Sequence, residues 1–137
     1  MRKGNDEIMK DKMELFKGYI KDNVAPILTD FIKGDDIPDA TLLPATISLE
    51  ELNGHYEEDK FVPSKWYNDL LNSDKKILVI DKLDSIDKNS QRKFMDILKY
   101  KKVYTFELPK DCVIIITAQN INANSINEEI YSLVAHI

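Results

Sequence analysis

Two runs of the chain, ILVI at Ile77–Ile80 and VIIIT at Val113–Thr117, place apolar, mostly β-branched residues on consecutive positions. A strand with one wet face alternates apolar and polar residues, because successive side chains point to opposite sides. Runs that are apolar at every position need cover on both faces, as in a parallel sheet lying between helices. The expected strands are Lys76–Asp81 and Cys112–Thr117. Between them the sequence predicts a helix from about Asn89 to Lys99 and a hairpin in which Val103 and Thr105 alternate with Tyr104, Phe106 and Leu108. A crossover of this kind joins parallel neighbours with right-handed topology. Asp81 and the residues after Thr117 should then emerge side by side at the carboxyl edge, where open α/β sheets place their sites.

Residues 1–36 read as an N-terminal helical segment and 40–137 as an α/β core, together one domain of 1–137. Asn5 or Asp6 can cap the first helix, and Met9, Met13, Phe16, Ile20, Val24, Ile27 and Phe31 form a stripe at helical spacing. Pro26 lacks an amide hydrogen and crowds the preceding turn, which predicts a kink or two helices joined near Asp22–Ala25. Gly34 and the GDDIPD stretch end the segment. ATLLPATISLEELNG begins extended and then offers Ser48 as a helix cap with Glu51 in the reciprocal capping position. HYEEDKF reads as an exposed acidic loop, and PSKWYNDLL as a helix turning Trp66 and Leu70 inward.

A net charge of −5 gives no electrostatic basis for general binding to nucleic acid, which rests on clustered Lys and Arg. KYKKVY (Lys99–Tyr104) reads as a solvated helix end. A nucleic-acid surface would require Lys99, Lys101 and Lys102 to converge with Arg92 or Lys93. The single cysteine, Cys112, excludes an internal disulfide and a multi-cysteine zinc site, and fits a reducing compartment. His55 and His136 have no second ligand at helical spacing, so neither suggests a metal site. With no leading apolar run and no stretch near the ~20 apolar residues that span a bilayer, a cytoplasmic protein with no membrane partner is expected.

From about Thr46 to Ile137 the order of these pieces resembles the middle of an AAA+ ATPase module, closest to the MoxR-type branch. ISLEELNG is similar to a family segment reading roughly dleDLlG, and FVPSKWYNDLL to the helix before the acidic strand. ILVIDKLDSIDKNSQRKFMDILKYKKVYTFELPKDCVIIITAQN follows the Walker B strand, a helix with a vQ…ll.lL pattern, a hairpin ending in LP, and the sensor strand. INEEIYSLVAHI resembles l..AllnRf.hi. The resemblance implies a partial P-loop NTPase-like core, a parallel sheet flanked by helices. It also implies that Asp81 is the magnesium-holding aspartate, and that Asn120, or alternatively Gln119 or Thr117, is the polar sensor of the attacking water.

The departures from the family pattern are chemical. Lys82 stands where the family has its catalytic glutamate, and an ammonium accepts no proton from water. Asp84 is the nearest replacement carboxylate. The glycines are Gly4, Gly18, Gly34 and Gly54, and none frames a G-x-x-x-x-G-K-[ST] phosphate loop, so the N-terminal helices are expected to replace the family's first strand and loop. Leu133 occupies the usual place of an arginine, and the family's lid domain is expected to be missing. Asp81, Lys82, Asp84 and Asn120 are therefore expected to be the remnant of a nucleotide and metal site, with Lys82 neutralising Asp81. The expected function is a non-catalytic, protein-binding or self-associating domain without cofactor. The alternative is an ATP- and Mg2+-binding protein or ATPase whose phosphate site is unconventional or completed by a partner.

Overall fold

A computed structural model of the chain describes residues 5–23 and 25–137. Helix α1 (Asn5–Asp22) leads into strand β1 (Ile27–Thr29), a 3-10 turn at Gly34–Asp36 and strand β2 (Thr41–Pro44). Helix α2 (Leu49–Asn53), the hairpin β3 (His55–Glu57) and β4 (Lys60–Val62), and helix α3 (Lys65–Asn72) follow. Strand β5 (Ile77–Asp81) runs through 3-10 turns at Leu83–Ser85 and Ser90–Phe94 into helix α4 (Met95–Tyr100). A second hairpin, β6 (Lys102–Val103) and β7 (Phe106–Glu107), precedes β8 (Val113–Thr117), helix α5 (Glu128–Leu133) and β9 (Ala135–His136).

The molecule is an α/β fold around a five-stranded parallel sheet of order β2-β5-β8-β1-β9. The two apolar runs pair as expected, with Ile77 beside Val113 and Ile80 beside Ile116. Alternate residues separate into two layers. Leu28, Leu43, Leu78, Ile80, Ile114 and Ile116 pack with Trp66 and Leu70 of α3, Ile130 of α5 and Phe94 of the 3-10 turn before α4 on one face. Ile27, Val79, Val113 and Ile115 pack with Phe16 of α1 and with Ile37 on the other. Both faces are thus buried, which is why the runs carry no polar alternation.

Three expectations are corrected. The helical stripe does not continue to Ile27 and Phe31: α1 ends at Asp22, and Ile27–Thr29 is a strand with every residue buried. Proline blocks helix continuation, while a strand here gains hydrogen bonds on both edges, from Ala118 N to Thr29 O (3.1 Å) and from Ile137 N to Leu28 O (3.0 Å). The first strand is therefore present, and the N-terminal helices do not replace it. HYEEDKF is a hairpin and not a loop; Glu58 takes a left-handed conformation (φ 57°) at its turn. The helix expected from Asn89 begins as a 3-10 turn and becomes α-helical only at Met95. Val24 and the Asn5 side chain lie outside the described residues.

Local signals elsewhere held. Ser48 Oγ accepts from Glu51 N at 3.1 Å, capping α2. Trp66 is buried and its indole donates to Leu52 O at 3.0 Å, tying α3 to α2. If β1 is the fully buried strand described, Leu28→Ala should lower unfolding free energy by about 2–5 kcal/mol in urea denaturation. Loss below 1 kcal/mol, the order expected for a half-exposed helical position, would contradict this placement.

Candidate functional site

The chain leaves neighbouring strands β1 and β8 in opposite directions, from β1 to the far edge at β2 and from β8 through α5 to β9. Such a reversal opens a crevice at the carboxyl ends of the two strands. Thr29, Asp81 and Thr117 end β1, β5 and β8 on that edge.

Thr117 organises it. Its Oγ1 donates to Asp81 Oδ1 at 2.6 Å and accepts from Lys82 N at 2.9 Å, so one hydroxyl joins the ends of adjacent strands. Lys82 takes a left-handed backbone conformation (φ 59°, ψ 55°), which costs a non-glycine residue roughly 1–2 kcal/mol. Its side chain is exposed, and among the described residues no ion pair joins it to Asp81.

The segment following β1 closes the crevice from the other side. A Cβ placed on Gly34 would lie 2.6 Å from Asp81 Oδ1 and 2.9 Å from Leu42 Cδ2, so the turn lies close against the carboxylate and a side chain here would require these two side chains to shift. The remaining space is about 280 Å³, bounded by Asp30, Lys33, Asp35, Lys82 and Gln119 besides Asp81. Carboxylates outnumber ammoniums around it.

Asp84 and Asn120 do something else. The Asp84 carboxylate accepts from Gln119 N (3.1 Å) and Asn120 N (2.8 Å), anchoring the loop that leaves β8. Of the residues expected at the site, the structure brings Asp81, Lys82, Thr117 and Gln119 to one place. Sequence reasoning missed Gly34, whose signal was only a glycine beside two aspartates.

Behind this edge stands a buried polar brace that the sequence showed only as one letter of a pattern. Gln91, wholly buried, donates to the carbonyls of Leu83 (3.3 Å), Ile86 (3.2 Å) and Ser125 (2.7 Å), and its Oε1 accepts from Asn127 N (2.8 Å). Asn127 Oδ1 in turn caps α5 through Glu129 N (2.9 Å) and Ile130 N (3.3 Å). Lys99 bonds Glu129 at 2.5 Å, which holds the Glu129 carboxyl below its ordinary range and raises the Lys99 ammonium above its own.

The basic residues do not form one phosphate-facing patch. Lys99 and Arg92 turn to Glu129 (2.5 and 3.6 Å), Lys93 to Ile47 O (2.5 Å) and Lys101 to Lys110 O (2.9 Å). Burial lowers the Lys93 ammonium and pushes the Cys112 thiol up to about 11, so Cys112 is an inert core group. Among the described residues, no group of three or more His, Cys, Asp or Glu is placed to hold a metal, and no helix is long and apolar enough to cross a membrane.

No family model matches the chain, and no curated protein matches it.

Gly34→Ala should force the turn away from Asp81 and cost about 1–3 kcal/mol in urea denaturation. Gly18→Ala, mid-helix with open space around it, should instead stabilise by roughly 0.5–1 kcal/mol. Equal effects at the two positions would show that Gly34 does not press on the carboxylate.

Proposed function

We propose that this chain is a non-catalytic, AAA+-like domain of MoxR type that works as a protein-binding or assembly module in the cytoplasm. The observation that carries the reading is the contact of Gly34 with the Asp81 carboxylate. A divalent cation linking Asp81 to a triphosphate needs that oxygen and the space in front of it. Here the oxygen accepts the Thr117 hydroxyl, and the Gly34 turn approaches it closely from one side, narrowing the space that remains.

The surroundings support the same reading. A phosphate entering the crevice would meet Asp30 and Asp35 as well as Asp81, and the volume of about 280 Å³ lies below the ~300–1,000 Å³ of typical small-molecule pockets. Lys82 offers no base, and Asp84 is spent on the amides of Gln119 and Asn120. These features argue against ATP as the ligand of this site. An assembly role gains support from α1, whose Ile8, Leu15 and Tyr19 lie exposed along a face separate from that of buried Phe16.

A second reading, a nucleotide-binding protein with an unconventional or partner-completed phosphate site, draws on the meeting of Asp81, Lys82, Thr117 and Gln119 at the topological switch point. Phosphate release separates the two. Wild type and Lys82→Glu, which restores a carboxylate beside Asp81, should both release phosphate from Mg-ATP at the background rate. Turnover gained by Lys82→Glu and lost again with Asp81→Ala would overturn the non-catalytic reading.

A further inference from the structure

Two hairpins distant in sequence meet through their aromatic rings. Tyr56 and Phe61 face each other across β3 and β4 with centroids 5.0 Å apart. Phe61 packs on Tyr104 at 4.8 Å and stacks on Phe106 at 5.9 Å, with ring planes 9° apart. Phe106 continues to Tyr67 of α3 at 5.5 Å, and the Tyr67 hydroxyl donates to Glu107 O at 2.6 Å. Burial first, and the nearby Glu107 charge second, raise the Tyr67 phenol, so it remains the donor in that bond.

The outer rings of this ladder do not serve the core. Tyr56 is 70% exposed and Tyr104 53%, and neither they nor Phe61 belong to either core layer. Rings held by neighbours at fixed geometry lose little freedom when a partner covers them, which is why aromatic anchors dominate binding surfaces.

Charge selects the partner. Glu57, Glu58 and Asp59 lie at the β3–β4 turn with Lys60, and Glu107 pairs in register with Lys102 across β6–β7. Carboxylates outnumber ammoniums, a rim that repels a phosphate backbone and attracts cations. Tyrosine faces add cation–π attraction for ammonium or guanidinium groups.

We propose that the two hairpins form one docking surface, the Tyr56–Phe61–Tyr104 ladder with its acidic rim, for a protein segment carrying Lys or Arg beside apolar residues. This rests on the protein-binding reading and names the chemistry of the partner. The test is fluorescence anisotropy of three labelled probes titrated with the full chain: a peptide of alternating Lys and Leu, its Glu–Leu counterpart, and an oligothymidylate. The Lys–Leu peptide should bind, and about tenfold more weakly to Tyr56→Ala/Tyr104→Ala. The corresponding Phe variant should retain affinity, and Glu58→Gln/Asp59→Asn should reduce it. The tyrosine variants leave net charge unchanged, so their effect cannot come from general acidity. Tyr56→Ser alone carries the same test should the double variant fail to fold.

Undiminished binding by the alanine and serine variants, no binding of the Lys–Leu peptide, or ladder-dependent preference for oligothymidylate or the Glu–Leu peptide would overturn the proposal. The outcome is separable from the nucleotide question. Failure here with only background phosphate release removes this surface and leaves the non-catalytic reading, whereas ladder-dependent binding alongside ATP turnover removes the reading and leaves the surface.

Discussion

The three residues Ile27, Leu28 and Thr29 hold the sheet together. Strand β1 pairs on one side with β8 and on the other with β9, so among the described residues it is the strand through which the C-terminal strand joins the sheet. Its residues are wholly buried and face both core layers, Leu28 with the helix-rich face and Ile27 with α1. Removing β1 would expose the edge of β8, whose five residues are all buried, and leave the short β9 without a partner. A parallel sheet cannot be assembled from local hairpins, and the long crossovers that bring β1, β8 and β9 together are repaid only when all three are in place.

The same insertion decides the chemistry at the carboxyl edge. Because β1 lies beside β8, the chain leaving Thr29 crosses the ends of the neighbouring strands and brings Gly34 onto Asp81. Thr117 then bonds the carboxylate and the Lys82 amide, fixing the strand ends while Lys82 adopts a left-handed turn. Polar groups here are engaged with one another. Gln91 and Asn127 do the equivalent work deeper down, where Gln91 bonds the carbonyls of Leu83, Ile86 and Ser125 and Asn127 caps the N-terminus of α5.

The parts legible in the sequence are those where one physical requirement acts alone. β5 and β8 could be read because burial on both faces leaves no polar position to confuse the pattern, and their parallel pairing followed from the crossover. β1 could not: three residues carry no period, and Ile27 and Phe31 happen to continue the helical spacing of Met9 through Ile20 across Pro26. The first hairpin was hidden by His55, Glu57 and Lys60 on its solvent face, since the aromatic contacts that stabilise it come from Tyr104 and Phe106 some forty residues later. At the site, Asp81, Lys82, Thr117 and Gln119 could be placed from strand ends alone. The engagement of Asp84 with the amides after β8, and the pressure of Gly34 on Asp81, are tertiary contacts that no local pattern encodes.

Thr117 and the Gly34 turn both engage the Asp81 carboxylate, and isothermal titration calorimetry with Mg-ATP tests most directly whether that excludes nucleotide. The full chain should give no heat above dilution, and Asp81→Ala should behave identically. Saturable binding by the wild type that disappears in Asp81→Ala would mean that the Gly34 turn yields to nucleotide, and that this edge is a working phosphate site.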